Sequence, residues 1–248
     1  ALAFILKDEV YKPSYEAMVQ AEKDFGGDAI CRAGFGLEPL QTLISSTYID
    51  MQDFCIEWMD NRDEILKLYD IIVEKRRQIY PIVAQSPALI ANYGGNVVSK
   101  IIGLDTFENY YVQHYNEAAE VMHRYGKLIG VHMDADCRLI APALAGNALD
   151  YIEAFTPAPD TDMTLREARE AWPDKILWLN FPSSLHLQPD DEVRSKTVEL
   201  LDELDSVDGV IMGITEDIPA SRHLNSCLAI MDGLDEHAGL HPQLYHHA

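Results

Sequence analysis

The stretch LIGVHMD, residues 128–134, decides the fold: an apolar run breaks off at His132 and Asp134. A run without polar alternation suits a strand covered on both faces, and its polar end suits a strand that delivers side chains into a pocket. Working outward, ALIANYG (88–94), YIEAF (151–155), ILWLNFP (176–182) and GVIMGITE (209–216) repeat the pattern, with DAICRAG (28–34) as a further strand upstream. Amphipathic segments lie before and between them: 14–26, 61–80, 107–126, 137–148, 163–172 and 191–204, with 221–237 last. Strand alternating with helix is the signature of βαβ units and a parallel sheet.

No G-x-G-x-x-G follows any of these strands, which favours a TIM (β/α)8-type barrel over a doubly wound sheet. The first eighty residues are helix-rich and offer fewer strands than eight-fold closure needs. The alternation is therefore either irregular there or lacks an N-terminal portion. Pro13, Pro81 and Pro87 read as turns, and no low-complexity linker divides the chain, so residues 1–248 are expected to form one barrel domain.

Composition narrows the function classes. With 41 Asp and Glu against 19 Lys and Arg, the net charge of −22 repels phosphate backbones and anionic lipids, which argues against nucleic-acid and membrane partners. Cys31, Cys55, Cys137 and Cys227 are widely spaced, so neither a closed structural zinc site nor a disulfide framework is signalled, and a reducing cytoplasm is expected. No apolar run approaches the ~20 residues that cross a bilayer.

In a barrel the C-terminal strand ends converge on one mouth. Here they carry Asn92 and Tyr93, His132 and Asp134, Glu153, Asn180, and Glu216 with Asp217. His132 and Asp134, two residues apart on a strand, share a face and suit a divalent metal or an acid–base pair. The alternative is a core histidine beside a helix N-cap. Asp136 reads as the N-cap of the segment after it, with Cys137 packed in its first turn. Glu153, inside an apolar strand, demands a metal, an Arg or a proton-sharing partner, because an unpaired buried carboxylate is heavily penalised. Asn180 can orient a ligand or tie two loops together, Arg32 can clamp a carboxylate or sit in a rim salt bridge, and Glu216 and Asp217 can serve the site or cap a helix.

The order of YGGN (93–96), HMD (132–134), IEAF (152–155), DMTLREAREAW (162–172) and GITEDIP (213–219) resembles the uroporphyrinogen decarboxylase superfamily. The likeness is closer to its branch of cobalamin-dependent methyltransferases and O-demethylase components. It covers residues 80–240 well and the earlier part loosely. It implies a TIM barrel, a zinc ion, and a methyl group moved between a small methylated or methoxylated compound and a corrinoid carried by a partner protein. That branch binds zinc through an H-x-C pair and a further Cys; here Asp134 replaces the first cysteine, and Met212 falls where the second would be.

The expected ligands for zinc or another divalent metal are therefore His132, Asp134 and Glu153. A catalytic role falls to the same three residues, and substrate contacts to Asn92, Tyr93, Asn96, Asn180, Glu216 and Arg32. The decarboxylase itself carries an Arg-rich N-terminal motif that this chain lacks, so porphyrinogen decarboxylation stands as an alternative, with a non-catalytic ligand-binding barrel as another. A homo-oligomer is compatible with the sequence.

Overall fold

The computed structural model describes residues 2–45, 48–95, 97–214 and 218–245. All six expected strands form: β1 (Arg32–Gly34), β2 (Ile90–Tyr93), β3 (Leu128–His132), β4 (Tyr151–Phe155), β5 (Ile176–Leu179) and β6 (Val210–Ile211). Each pairs parallel to the next, in the order β1-β2-β3-β4-β5-β6. This is the strand sequence of an α/β barrel, with β1 and β6 at the sheet edges among the described residues.

Pleating sorts the strand residues onto two faces. Ala91, Tyr93, Ile129, Val131, Ile152, Leu177 and Leu179 are all fully buried and belong to the main core, together with residues of the surrounding helices. The principal helices are α1 (Arg62–Gln85), α2 (Gln113–Arg124), α3 (Leu165–Ala171), α4 (Asp190–Asp202) and α5 (His223–Leu240). Thr164 opens α3 with a capping box, its hydroxyl accepting from Glu167 N–H while the Glu167 carboxylate accepts from Thr164 N–H. A smaller core of Phe181, Val193, Leu200, Ala229 and Ile230 joins α4 and α5 to the strand ends. No helix among the described residues is long and apolar enough to cross a membrane.

The N-terminal part is irregular, one of the two alternatives expected: helices Pro39–Ile44 and Met51–Asp60 precede α1 in the connection from β1 to β2. Other local expectations need correction. Pro81 lies inside α1 rather than at a turn. It removes one helical hydrogen bond, but Val83 and Ala84 beyond it are buried in the core and carry the helix onward. The segment 137–148 is a 3-10 turn, Arg138–Ile140, followed by the short helix Ala141–Ala145. Its start is capped from a distance, since Asp162 Oδ1 accepts from the N–H groups of Cys137 (3.1 Å) and Arg138 (3.2 Å), while the Asp136 carboxylate pairs with Lys100.

Candidate active site

Four adjacent strands build one polar cluster on the sheet face opposite the main core. Arg32 comes from β1, Asn92 from β2, His132 from β3, and Tyr151 and Glu153 from β4. In register, Arg32 stands opposite Ile90 while His132 stands directly opposite Glu153. Glu153 is almost fully buried and is saturated by its neighbours. Its Oε2 accepts from Asn92 Nδ2 and from His132 Nδ1, both at 2.8 Å, and Arg32 Nη1 lies 3.0 Å from Oε1. Of the expected alternatives, a metal, an Arg or a proton-sharing partner, Arg32 and His132 stand beside this carboxylate.

The shell behind these groups fixes their orientation. The Tyr151 hydroxyl lies 2.6 Å from Asn92 Oδ1 and 2.8 Å from the Ala91 carbonyl, so the Asn92 amide turns its NH2 to Glu153. Tyr151 reaches that far only because β3 has Gly130 beneath its ring; a Cβ there would fall 2.1 Å from Tyr151 Cδ2. The Arg32 guanidinium lies 5.6 Å from the Trp178 ring centroid, a cation–π distance. Ala154, next to Glu153, has φ +60 and coincides with the register shift between β4 and β5. A non-glycine residue in this region stores strain, here beside the site carboxylate.

Gly94 and Gly95 back the cluster. Gly95 (φ +147) packs against the imidazole, where a Cβ would meet His132 Cβ and Cδ2 at 3.3 Å. At Gly94 (φ +72) the missing side chain leaves room for the buried Glu38 carboxylate, which accepts from the Tyr115 hydroxyl and, at 3.4 Å, from Gly95 N–H. Burial pushes the Glu38 carboxyl up to about 7.

His132 thus stands between two carboxylates. Nδ1 faces Glu153, and Nε2 lies 3.4 Å from Asp134 Oδ2, with both His132 and Asp134 about one quarter exposed. The hydrogen bond with Asp134, then that with Glu153, raises the imidazole to about 10, so the ring is an imidazolium at neutral pH. For Glu153, burial alone would raise the carboxyl. The hydrogen bonds and charges of His132 and Arg32 more than offset this and hold it below its ordinary value.

This geometry does not fit the expected metal ligands. One ion can take one imidazole nitrogen, yet Glu153 and Asp134 lie on opposite nitrogens of His132, and the Glu153 oxygens are occupied by Asn92, His132 and Arg32. As arranged, the Glu153 carboxylate is paired with the imidazole and the guanidinium.

Of the expected substrate contacts, Arg32 and Asn92 join the cluster. Tyr93 does not, because adjacent strand residues point to opposite faces: its ring packs on Phe35 and Tyr115, and its hydroxyl meets Tyr80 at 2.9 Å. Asn180 is fully buried and donates to Thr156 Oγ1 at 2.9 Å, so it ties two strand-end loops together. Cys137 is buried as well, and desolvation pushes its thiol well above the usual range. Asn96, Glu216 and Asp217 lie outside the described residues. Tyr151, Trp178 and Glu38 escaped the sequence reading. Period two from Glu153 points to Tyr151, whereas nothing local in the sequence marks Glu38.

No protein-family model and no curated protein matches the chain. A solved structure described as a methyltransferase from Methanosarcina mazei is similar in fold, with a TM-score of 0.68 and 15% sequence identity over 90% of this chain. The match covers 63% of that chain, so the present sequence spans less than two thirds of its neighbour's length. What the likeness shows is the fold, and it agrees with the α/β barrel built up strand by strand above.

Proposed function

We propose that the chain is the barrel of a methyltransferase that removes a methyl group from a small methoxylated or methylated compound, with His132 as the proton donor to the departing oxygen. The observation that carries the reading is His132 held between two carboxylates, its Nδ1 2.8 Å from Glu153 Oε2 and its Nε2 3.4 Å from Asp134 Oδ2. A similar fold in a methyltransferase supports it. A corrinoid carried by a partner protein would supply, in its reduced state, the electron pair that takes the methyl carbon.

The residues of this chain then manage the leaving group. As the methyl–oxygen bond breaks, its electron pair stays on oxygen, which takes the Nε2 proton of His132. A donor held near 10 matches a phenol-like leaving group, whose acidity lies in the same range (about 10, as for tyrosine), so the transfer is close to balanced. Glu153 keeps the ring oriented through Nδ1, and Arg32 and Asn92 position Glu153. Asp134, at the exposed side of the ring, is placed to pass a solvent proton back to Nε2.

Incubation with a reduced corrinoid protein and a panel of methoxylated aromatics and methylated small molecules tests the reading through the absorbance change of corrinoid methylation. Glu153→Gln is expected to slow the step about a hundredfold, and His132→Ala at least as much. Full activity in both variants would remove the cluster from the reaction. No turnover across a broad panel with several corrinoid proteins would favour the ligand-binding barrel.

A further inference from the structure

Away from the strand ends, α4 and α5 run side by side in the same direction. Arg222, just before α5, pairs with Asp190 at the start of α4 (2.7 Å), and Gly233 meets Thr197 midway. A Cβ on Gly233 would lie 2.6 Å from Thr197 Cβ, so its absence allows the helices to touch. One turn further on, their C-terminal ends bring together Asp202 of α4, His237 of α5 and His241, the residue that closes α5. Asp202 Oδ1 lies 3.5 Å from His237 Nε2 and 3.1 Å from His241 Nε2, and one ligand atom from each of the three residues falls within 4.8 Å of the others.

From this juxtaposition we propose that Asp202, His237 and His241 form a binding site for a divalent cation of the zinc class, separate from the His132 cluster. Tetrahedral zinc with bonds of about 2.0–2.1 Å places its ligand atoms about 3.3 Å apart, and the two distances from Asp202 Oδ1, 3.1 and 3.5 Å, lie on either side of that value. His237 is the second indication. It is 1% exposed, and its Nε2, aimed at Asp202, has no hydrogen-bond partner. Such an orphaned buried nitrogen is costly unless something occupies its lone pair.

The remaining ring nitrogen, Nδ1, lies 2.7 Å from the Tyr245 hydroxyl, the kind of outer hydrogen bond that fixes the orientation and tautomer of a metal-binding imidazole. Two helix C-termini converge here, and their carbonyl dipoles favour a cation. Asp202 and His241 are partly exposed, so an ion can enter and keep a solvent position. Bound there, it would fasten the end of α4 to the end of α5 and to the Pro242–Leu244 turn beyond.

The test is titration of the chelator-treated full chain with Zn2+ alone, in competition with a chromophoric chelator, and with Co2+ as a spectroscopic substitute. The expected result is one equivalent per chain, a tetrahedral cobalt spectrum and a raised unfolding temperature. Asp202→Asn and His241→Ala, both at partly exposed positions, should each weaken binding about tenfold or more, and His132→Ala should leave it unchanged. Since His246 and His247 follow closely in the sequence, the double variant His246→Ala, His247→Ala should also retain the equivalent. No binding by the parent chain, undiminished binding in both Asp202→Asn and His241→Ala, or loss confined to the His246/His247 variant would each overturn the assignment.

Discussion

The ring of Tyr151 on β4 lies across Gly130 on β3, and this single overlap connects the backbone of one strand to the site carboxylate two side chains away. Tyr151 holds Asn92, and Asn92 holds Glu153. Gly130→Ala forces the ring off β3, because the new Cβ would meet it at 2.1 Å. Overpacking of this kind costs about 1–3 kcal/mol. Chemical denaturation should show the loss, and Tyr151→Leu in the Gly130→Ala background should recover part of it by removing the clash.

Glu38 gives the stability of the protein a pH dependence of definite sign. Its folded-state value, about 7, lies above the ordinary 4.5, so the folded chain holds this proton more tightly than the unfolded chain. The resulting contribution is fully present below pH 4.5 and is lost as pH rises toward and through 7. Denaturation midpoints measured between pH 4.5 and 8 should therefore decline less in Glu38→Gln than in the parent. Parallel curves would mean that the carboxyl is ionised in its ordinary range.

Tyr93 tests how the pleat divides the two faces. Tyr93→Phe removes the buried 2.9 Å contact with the Tyr80 hydroxyl, at a cost of about 1 kcal/mol in stability. Because the hydroxyl faces the helices, the variant should match the parent in the methyl-transfer assay proposed above. A large loss of activity with little loss of stability would place Tyr93 at the site after all.

How much of this was legible in the sequence depends on the range of the interactions. Buried parallel strands announce themselves as apolar runs, so all six were found, and Glu153 stood out because a lone carboxylate in YIEAF must have partners. Period two also separates Asn92 from Tyr93, a distinction lost when both are assigned to the strand end. Contacts across the sequence left no local trace: Asp162 capping Cys137, Glu38 seated under Gly94, and the Ala154 bulge that shifts the β4–β5 register. The arrangement of the expected metal ligands was illegible for a similar reason. Residues His132, Asp134 and Glu153 are near one another, but spacing along the chain cannot tell on which side of an imidazole each carboxylate falls.

The measurement that bears most directly on the account is the titration of His132 by NMR of its ring nitrogens, assigned through His132→Gln. Asp134 and Glu153 should keep the ring doubly protonated through pH 8, with deprotonation near 10. The associated stability is fully present below the ordinary imidazole value of about 6.5 and is lost as pH rises through 10. Glu153→Gln should move the titration down toward the ordinary value. A His132 ring that is already neutral at pH 7.5 in the parent protein would contradict the proton-donor role on which the proposed reaction rests.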